Sequence, residues 1–155
     1  MRGASEANRL RSRLKAVFDR ARSLGEADGE ILSDYARYLC VLVSGFVETA
    51  IAELAIEHCR VRSSSTVVRY TSVQLTRIQN INSTKLLQLI TSFDKNMSDD
   101  LSSFIEGSRR EALDSVLNLR NTIAHGESVS LSMGRITAYF EKIDEIVVYV
   151  EGLLR

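Results

Sequence analysis

An all-α, up-and-down bundle of four main helices plus shorter ones is the fold this sequence predicts, and three observations predict it. The 155 residues include no proline, so nothing in the chain forces a helix to break. Aromatics are few, five Tyr, five Phe and no Trp, while Leu, Ile, Ala, Arg and Glu, all serviceable helix formers, are abundant. Apolar residues recur every three or four positions over long stretches, which is the helical period. A chain of this length supports one core, so a single domain over residues 1–155 is expected. With 45% hydrophobic and 26% charged residues the composition is that of a soluble globular chain, and collagen-like, Pro-rich and disordered classes are excluded.

From Ala4 to Leu24, Leu10, Leu14, Val17, Phe18 and Ala21 lie at helical spacing among six basic residues, and Gly25 ends this first helix. The stretch from Asp28 to Val61 is the longest and most apolar. Leu32, Tyr35, Leu39, Leu42, Phe46 and Ala50 form one stripe and Val43, Val47, Ile51 and Leu54 another, so this helix is expected to be central. Arg37, Glu48 and Glu53 interrupt it and argue against a membrane span. Its third face, Val41, Ser44, Gly45, Glu48, Ala52 and Ala55, is small enough for another helix to approach. Glu48 in the middle of that face reads in two ways, as a half-exposed surface residue or as an acid that orients an Arg or His of a site.

Between Arg60 and Lys85 the pattern weakens. Ser63, Ser64 and Ser65 suggest a loop and Val67, Val68, Val73, Leu75 and Ile78 a helix, with Thr66–Val68 open to a short extended piece. Ser83 is expected to cap a helix through Leu86, Ile90 and Phe93, and Ser98 to start the next, followed by Asp99 and Asp100. Ser108 and Glu111 read as a capping box for a helix carrying Leu113, Val116, Leu117 and Ile123 and closing at Gly126. A final amphipathic helix is expected from about Ser132 to Leu154, with Ile136, Phe140, Ile143, Val147, Val150 and Leu154 at alternating steps of four and three.

Formal charge is zero, yet it is unevenly distributed. Met1–Gly25 has seven bases against two acids, and Arg60–Lys85 has five bases and no acid, so each carries +5. Either stretch could follow a phosphate backbone or be a solvated helix face. Arg60, Arg62, Arg69 and Arg77 are the candidate RNA-binding residues. Met1–Leu24 offers no uninterrupted apolar run for a secretory signal, and a cytoplasmic protein without a membrane partner is expected. Cys40 and Cys59, about 28 Å apart along one helix, cannot bridge within a subunit and are expected to be buried free thiols.

Two histidines are present. His58 has no set of metal-ligand neighbours and reads as structural or surface. His125 closes the string Arg120-Asn121-Thr122-Ile123-Ala124-His125-Gly126. Continuing the Leu113, Val116, Leu117 stripe brings Arg120 beside the core-facing side, where an Arg needs a partner or a cleft. Five positions place His125 about 140° around the helix from Arg120, so the two do not share a face by periodicity alone.

This string resembles the signature of the HEPN superfamily, an Arg, a polar residue, a short spacer and a His. With Ser44-Gly45-Phe46-Val47-Glu48 on a long second helix, the chain is similar to the branch called RiboL-PSP-HEPN. The resemblance implies a helical bundle that dimerises and, in active members, cuts RNA without a metal or other cofactor. It maps the catalytic positions onto Arg120, Asn121 and His125, with Glu48 as a supporting acid. The residue types suit the reaction. An imidazole can take a proton from a ribose 2′-hydroxyl or give one to the departing 5′-oxygen, and an Arg can hold the phosphate as charge develops. One His per subunit supplies one proton-transfer group, so a homodimer that gathers two motifs in one cleft is expected.

An RNase in a toxin–antitoxin, phage-defence or RNA-processing setting, with an antitoxin or effector partner, is the leading reading. The alternative is a non-catalytic HEPN dimerisation or RNA-binding module, and a third is a helical interaction module whose motif is coincidental. Some HEPN toxins carry a Tyr two residues beyond the His, where an antitoxin modifies them. Here that residue is Glu127, so such control does not transfer. No nucleophile elbow, phosphate-binding glycine loop or His-rich metal motif is present.

Overall fold

The computed structural model describes residues 2–25 and 29–155. Among them are seven helices and no strand: α1 (Arg2–Arg22), α2 (Gly29–Arg60), α3 (Ser65–Leu75), α4 (Ser83–Phe93), α5 (Lys95–Ile105), α6 (Ser108–Ala124) and α7 (Met133–Leu153). The four long helices α1, α2, α6 and α7 are the expected bundle, and the three short ones are 11 residues each. The Asp28 start expected for the second helix lies outside the described residues.

The apolar stripes of α2 make it the centre, packed by α1, α3, α6 and α7. By length and composition α2 could cross a membrane. Instead its Leu39, Val43, Val47, Ala50 and Ile51 are buried without exposed surface in a core shared with Leu113 and Val116 of α6 and Ile136, Ile143 and Val147 of α7. Phe140 of α7 stacks on Phe18 of α1 at 4.8 Å and meets Phe46 of α2 edge-on at 5.9 Å, which fixes three helices to one point. Gly3 lets α1 close on the far end of α2. A Cβ there would stand 2.6 Å from the Glu53 carbonyl oxygen and 2.8 Å from Glu57 Cβ.

The small-residue face of α2 is only partly used. Ser44 and Ala55 are buried, but Val41 is exposed and a Cβ on Gly45 would meet nothing within 4 Å. A groove between α1 and α2, lined by Arg13, Val17, Tyr38 and Val41, lies over this end instead.

Helix starts depart from expectation in three places. Asn82, not Ser83, caps α4, its side chain accepting the Lys85 N–H at 3.0 Å; Ser83 is buried one residue inside. Asp94 caps α5 by accepting from Asn96 and Met97, and Ser98 lies within that helix, its hydroxyl accepting from Thr91 and donating to the Leu87 carbonyl. Gly107, at φ 87°, precedes α6 without a side-chain cap, so the Ser108–Glu111 box does not form. Thr66–Val68 are helical, within α3, and not extended. Ser132 does cap α7, accepting the Arg135 N–H at 3.1 Å.

Both cysteines are free and buried. Burial pushes the Cys40 thiol up to about 11, and its Sγ–H is directed to the Val116 carbonyl at 3.6 Å. His58 is structural, as expected. Its Nδ1 lies 2.8 Å from the Leu154 carbonyl oxygen and its ring meets Phe93 edge-on, tying the end of α2 to the end of α7.

Candidate active site

The last two turns of α6 leave the core gradually. Leu113, Val116 and Leu117 are buried, Arg120 and Asn121 are half-buried, and Ala124 and His125 are exposed. Arg120 therefore stands at the margin where the stripe meets the surface.

Its guanidinium is held by two neutral amides. Nη1 donates to Asn80 Oδ1 at 3.1 Å and to Asn121 Oδ1 at 3.2 Å, and among the described residues no carboxylate pairs with it. A cation fixed by amide oxygens keeps its full charge for an anion, which a salt-bridged one would not.

Glu48 is close by but one residue removed. Its Oε1 accepts the backbone N–H of Asn80 at 2.6 Å, so the acid on α2 reaches Arg120 through Asn80. Asn80 is the one non-glycine among the described residues with positive φ, at 55°, and its carbonyl oxygen accepts the Asn82 N–H at 2.8 Å. Three residues on from Asn80, Ser83 donates from both its N–H and its hydroxyl to Asp114 of α6, each at 2.8 Å. The link between α3 and α4 is thus pinned to α2 on one side and to α6 on the other.

His125 is the C-cap of α6. The Glu127 N–H reaches back to the Thr122 carbonyl at 3.2 Å and the Gly126 N–H to that of Ile123 at 3.0 Å, with Gly126 at φ 74°, a Schellman ending that only a residue tolerant of positive φ completes readily. This turn throws the imidazole to the surface. Among the described residues nothing hydrogen-bonds the ring, and no bond joins it to Arg120 within the protomer.

The four basic candidates separate into two pairs. Arg60 forms an ion pair with Glu57, and Arg62 donates to the carbonyls of His58 and Arg155 at 3.3 and 2.9 Å, closing the C-terminal end of the bundle. Arg69 on α3 and Arg77 in the turn after it are exposed, and no acid pairs with either among the described residues. That turn leads directly to Asn80.

Sequence reasoning missed Asn80 and Asp114. Asn80 acts across 32 residues to Glu48 and 40 to Arg120, separations that no local pattern encodes. The available signal was chemical: two Asn around one Ile just before a helix, in a residue type that tolerates left-handed backbone.

The sequence profile of the RiboL-PSP-HEPN family matches residues 8–154, which takes in α2, the Asn80 turn, Arg120 and His125. The chain belongs to the RiboL-PSP-HEPN family. No curated protein and no solved structure matches it. Membership makes this HEPN chain an RNase-type or RNA-binding module, of a superfamily whose domains commonly dimerise and bind RNA. Two surface grooves, the one over α1 and α2 and another floored by Phe18, Phe104 and Phe140, include neither Arg120 nor His125. Among the described residues no three His, Cys, Asp or Glu side chains gather as a metal-ion site.

Proposed function

We propose that this protein is an endoribonuclease that cuts RNA without a metal, at a site completed across a homodimer. One observation carries the reading: Arg120 is fixed by the amides of Asn80 and Asn121 with its charge uncompensated, near the helix end that exposes His125. Arg120 receives the scissile phosphate in charge-assisted bonds that strengthen as its oxygens gain charge. The ribose 2′-oxygen attacks the adjacent phosphorus, the new O2′–P bond forms and the P–O5′ bond breaks. One imidazole takes the 2′-hydroxyl proton and another protonates the leaving 5′-oxygen, giving a 2′,3′-cyclic phosphate and a 5′-hydroxyl.

Two imidazoles require two subunits. The exposed position of His125, outside the two grooves described above, suits a cleft closed by a second copy about a two-fold axis. Arg69 and Arg77 would extend the track for the RNA backbone. We place the protein in the cytoplasm, in a toxin–antitoxin or phage-defence system with an antitoxin or effector partner.

The test is incubation of wild type and His125→Ala with total RNA and tRNA in excess chelator, followed by end-group analysis. Expected are cyclic-phosphate ends from the wild type and a loss of about 100-fold or more in the variant. Equal cleavage by the variant, or abolition of wild-type cleavage by chelator, overturns the reading. The absence of a hydrogen bond between Arg120 and His125 within the protomer favours a second reading, a non-catalytic RNA-binding or dimerisation module. RNA affinity that survives His125→Ala, with cleavage by neither protein, selects it.

A further inference from the structure

We infer that Asn80 is the positioning residue of this site: its side-chain oxygen aims Arg120, and its backbone N–H, anchored on Glu48, holds that oxygen in place. The inference rests on the RNase reading for its effect on rate, though the geometry stands independently of it.

Asn80 is constrained at three points. Its N–H donates to Glu48 Oε1 at 2.6 Å, its carbonyl accepts from Asn82 at 2.8 Å, and its Oδ1 accepts from Arg120 Nη1 at 3.1 Å. A φ of 55° is a region that Asn enters more readily than most residues with a side chain, so this one residue can supply the backbone N–H and the side-chain acceptor together. The flanking Ser83–Asp114 pair prevents the turn from drifting off α6.

The arrangement also explains the role of Glu48. A carboxylate bonded directly to Arg120 would orient it but cancel the charge that a phosphate needs. With Asn80 between them, the acid is spent on a backbone N–H and the guanidinium is oriented by a neutral oxygen. Orientation without neutralisation is the property a phosphate-binding Arg requires.

Glycine separates the two functions of the residue. Asn80→Gly accepts the same φ without strain and keeps the N–H for Glu48, but deletes the oxygen that Arg120 uses. It is expected to stay folded, with a melting temperature within a few degrees of wild type, and to lose about 10- to 100-fold in kcat. Asn80→Asp keeps the acceptor and tolerates the φ while placing a carboxylate on Arg120. It is expected to hold Arg120 still but to raise KM for RNA and flatten the salt dependence of binding. Glu48→Gln, which retains an acceptor oxygen, is expected near wild-type rates, whereas Glu48→Ala falls with Asn80→Gly.

The measurements are single-turnover cleavage of a defined RNA by the full chain and the ¹⁵N NMR signals of the Arg120 guanidinium, assigned with Arg120→Ala. Wild-type kcat in Asn80→Gly overturns the inference and leaves the RNase reading intact. If the wild type cuts no RNA, that reading fails by itself and the NMR decides. Slowed guanidinium rotation in the wild type that is lost in Asn80→Gly upholds the positioning role; the same signals in both proteins overturn it.

Discussion

The two basic stretches of the chain carry the same formal charge, +5 each, and use it differently. Of the seven cations in the first stretch, Arg9, Arg11, Lys15 and Arg22 meet an acid, while Arg2, Arg13 and Arg20 are exposed without one among the described residues. Arg11 is nearly buried and forms an ion pair with Asp144 of α7, with Lys15 joining the same carboxylate at 3.6 Å; Arg9 and Arg22 pair with Glu6 and Asp19 one turn away. In the 60–85 stretch Arg60, Arg62 and Lys85 are engaged by a carboxylate or carbonyls, but Arg69 on α3 and Arg77 in the turn after it meet no acid among the described residues, and that turn leads to Asn80. Charge counted along a sequence measures supply. Which cations remain for a phosphate backbone is set by the acids the fold brings beside them.

The strongest way to break this contrast is at Arg11. Its side chain is 11% exposed and that of Asp144 17%, so either partner left alone is a poorly hydrated charge. Arg11→Ala is expected to destabilise the protein by about 3 kcal/mol, read as a lower midpoint in urea, because the remaining carboxylate loses its main counter-ion. One nitrogen, Nη2, is already buried without a hydrogen bond, so Arg11→Met is expected to cost less than Arg11→Ala. RNA affinity of the folded fraction is expected to be unchanged. A marked drop would mean that α1 also binds nucleic acid.

Arg69 and Arg77 give the converse. The double substitution to Ala is expected to leave the melting temperature within about 2 °C, since neither residue holds an acid, and to weaken RNA binding about tenfold at low salt. It should also reduce the slope of log affinity against log salt by about 1.4, two single-strand phosphate contacts at about 0.7 each. Arg9→Ala with Arg22→Ala is the control and is expected to leave the slope as it was. Equal slopes for both doubles would erase the distinction between the two stretches.

The same division between local and distant partners explains what could be read from sequence. Helix identities were legible because periodicity is local: the stripes from Leu39 to Leu54 and from Ile136 to Val150 predict burial that the structure has. Caps were less legible. Asn82 beside Ser83, and Asp94 four residues before Ser98, also carry a side-chain oxygen able to accept a first-turn N–H, and the choice turns on which residue leaves helical backbone and which is claimed elsewhere. Ser83 is claimed by Asp114 and Ser98 by Thr91 and Leu87. Arg120, Asn121 and His125 could be named because they lie in one string. Asn80 could not, since its role exists only after α2, α6 and the α3–α4 turn have met.

A third kind of cation, structural yet only half-buried, sets the lower end of the scale. Arg109 at the start of α6 donates to Glu145 of α7 at 2.7 Å while its guanidinium covers Phe104 at 4.2 Å, and Lys142 donates to the same carboxylate at 3.2 Å. The hydrogen bond from Lys142, with that from Arg109 and the charges of both, holds the Glu145 carboxyl below its ordinary value against the opposing effect of burial. A carboxyl whose pKa is lower folded than unfolded stabilises the protein above the unfolded value, near 4.5, and that contribution fades as pH falls through the folded value. With the Glu145 side chain 39% exposed, solvent screening keeps the effect to about 0.5 kcal/mol. Glu145→Gln is therefore expected to lower the melting temperature by about a degree at pH 7 and by nothing measurable once the carboxyl is protonated in both states. A difference that persists at that acidity would place the stabilisation in the packing and neutral hydrogen bonding of the residue 145 side chain rather than in the ion pair, since Glu and Gln are then both uncharged.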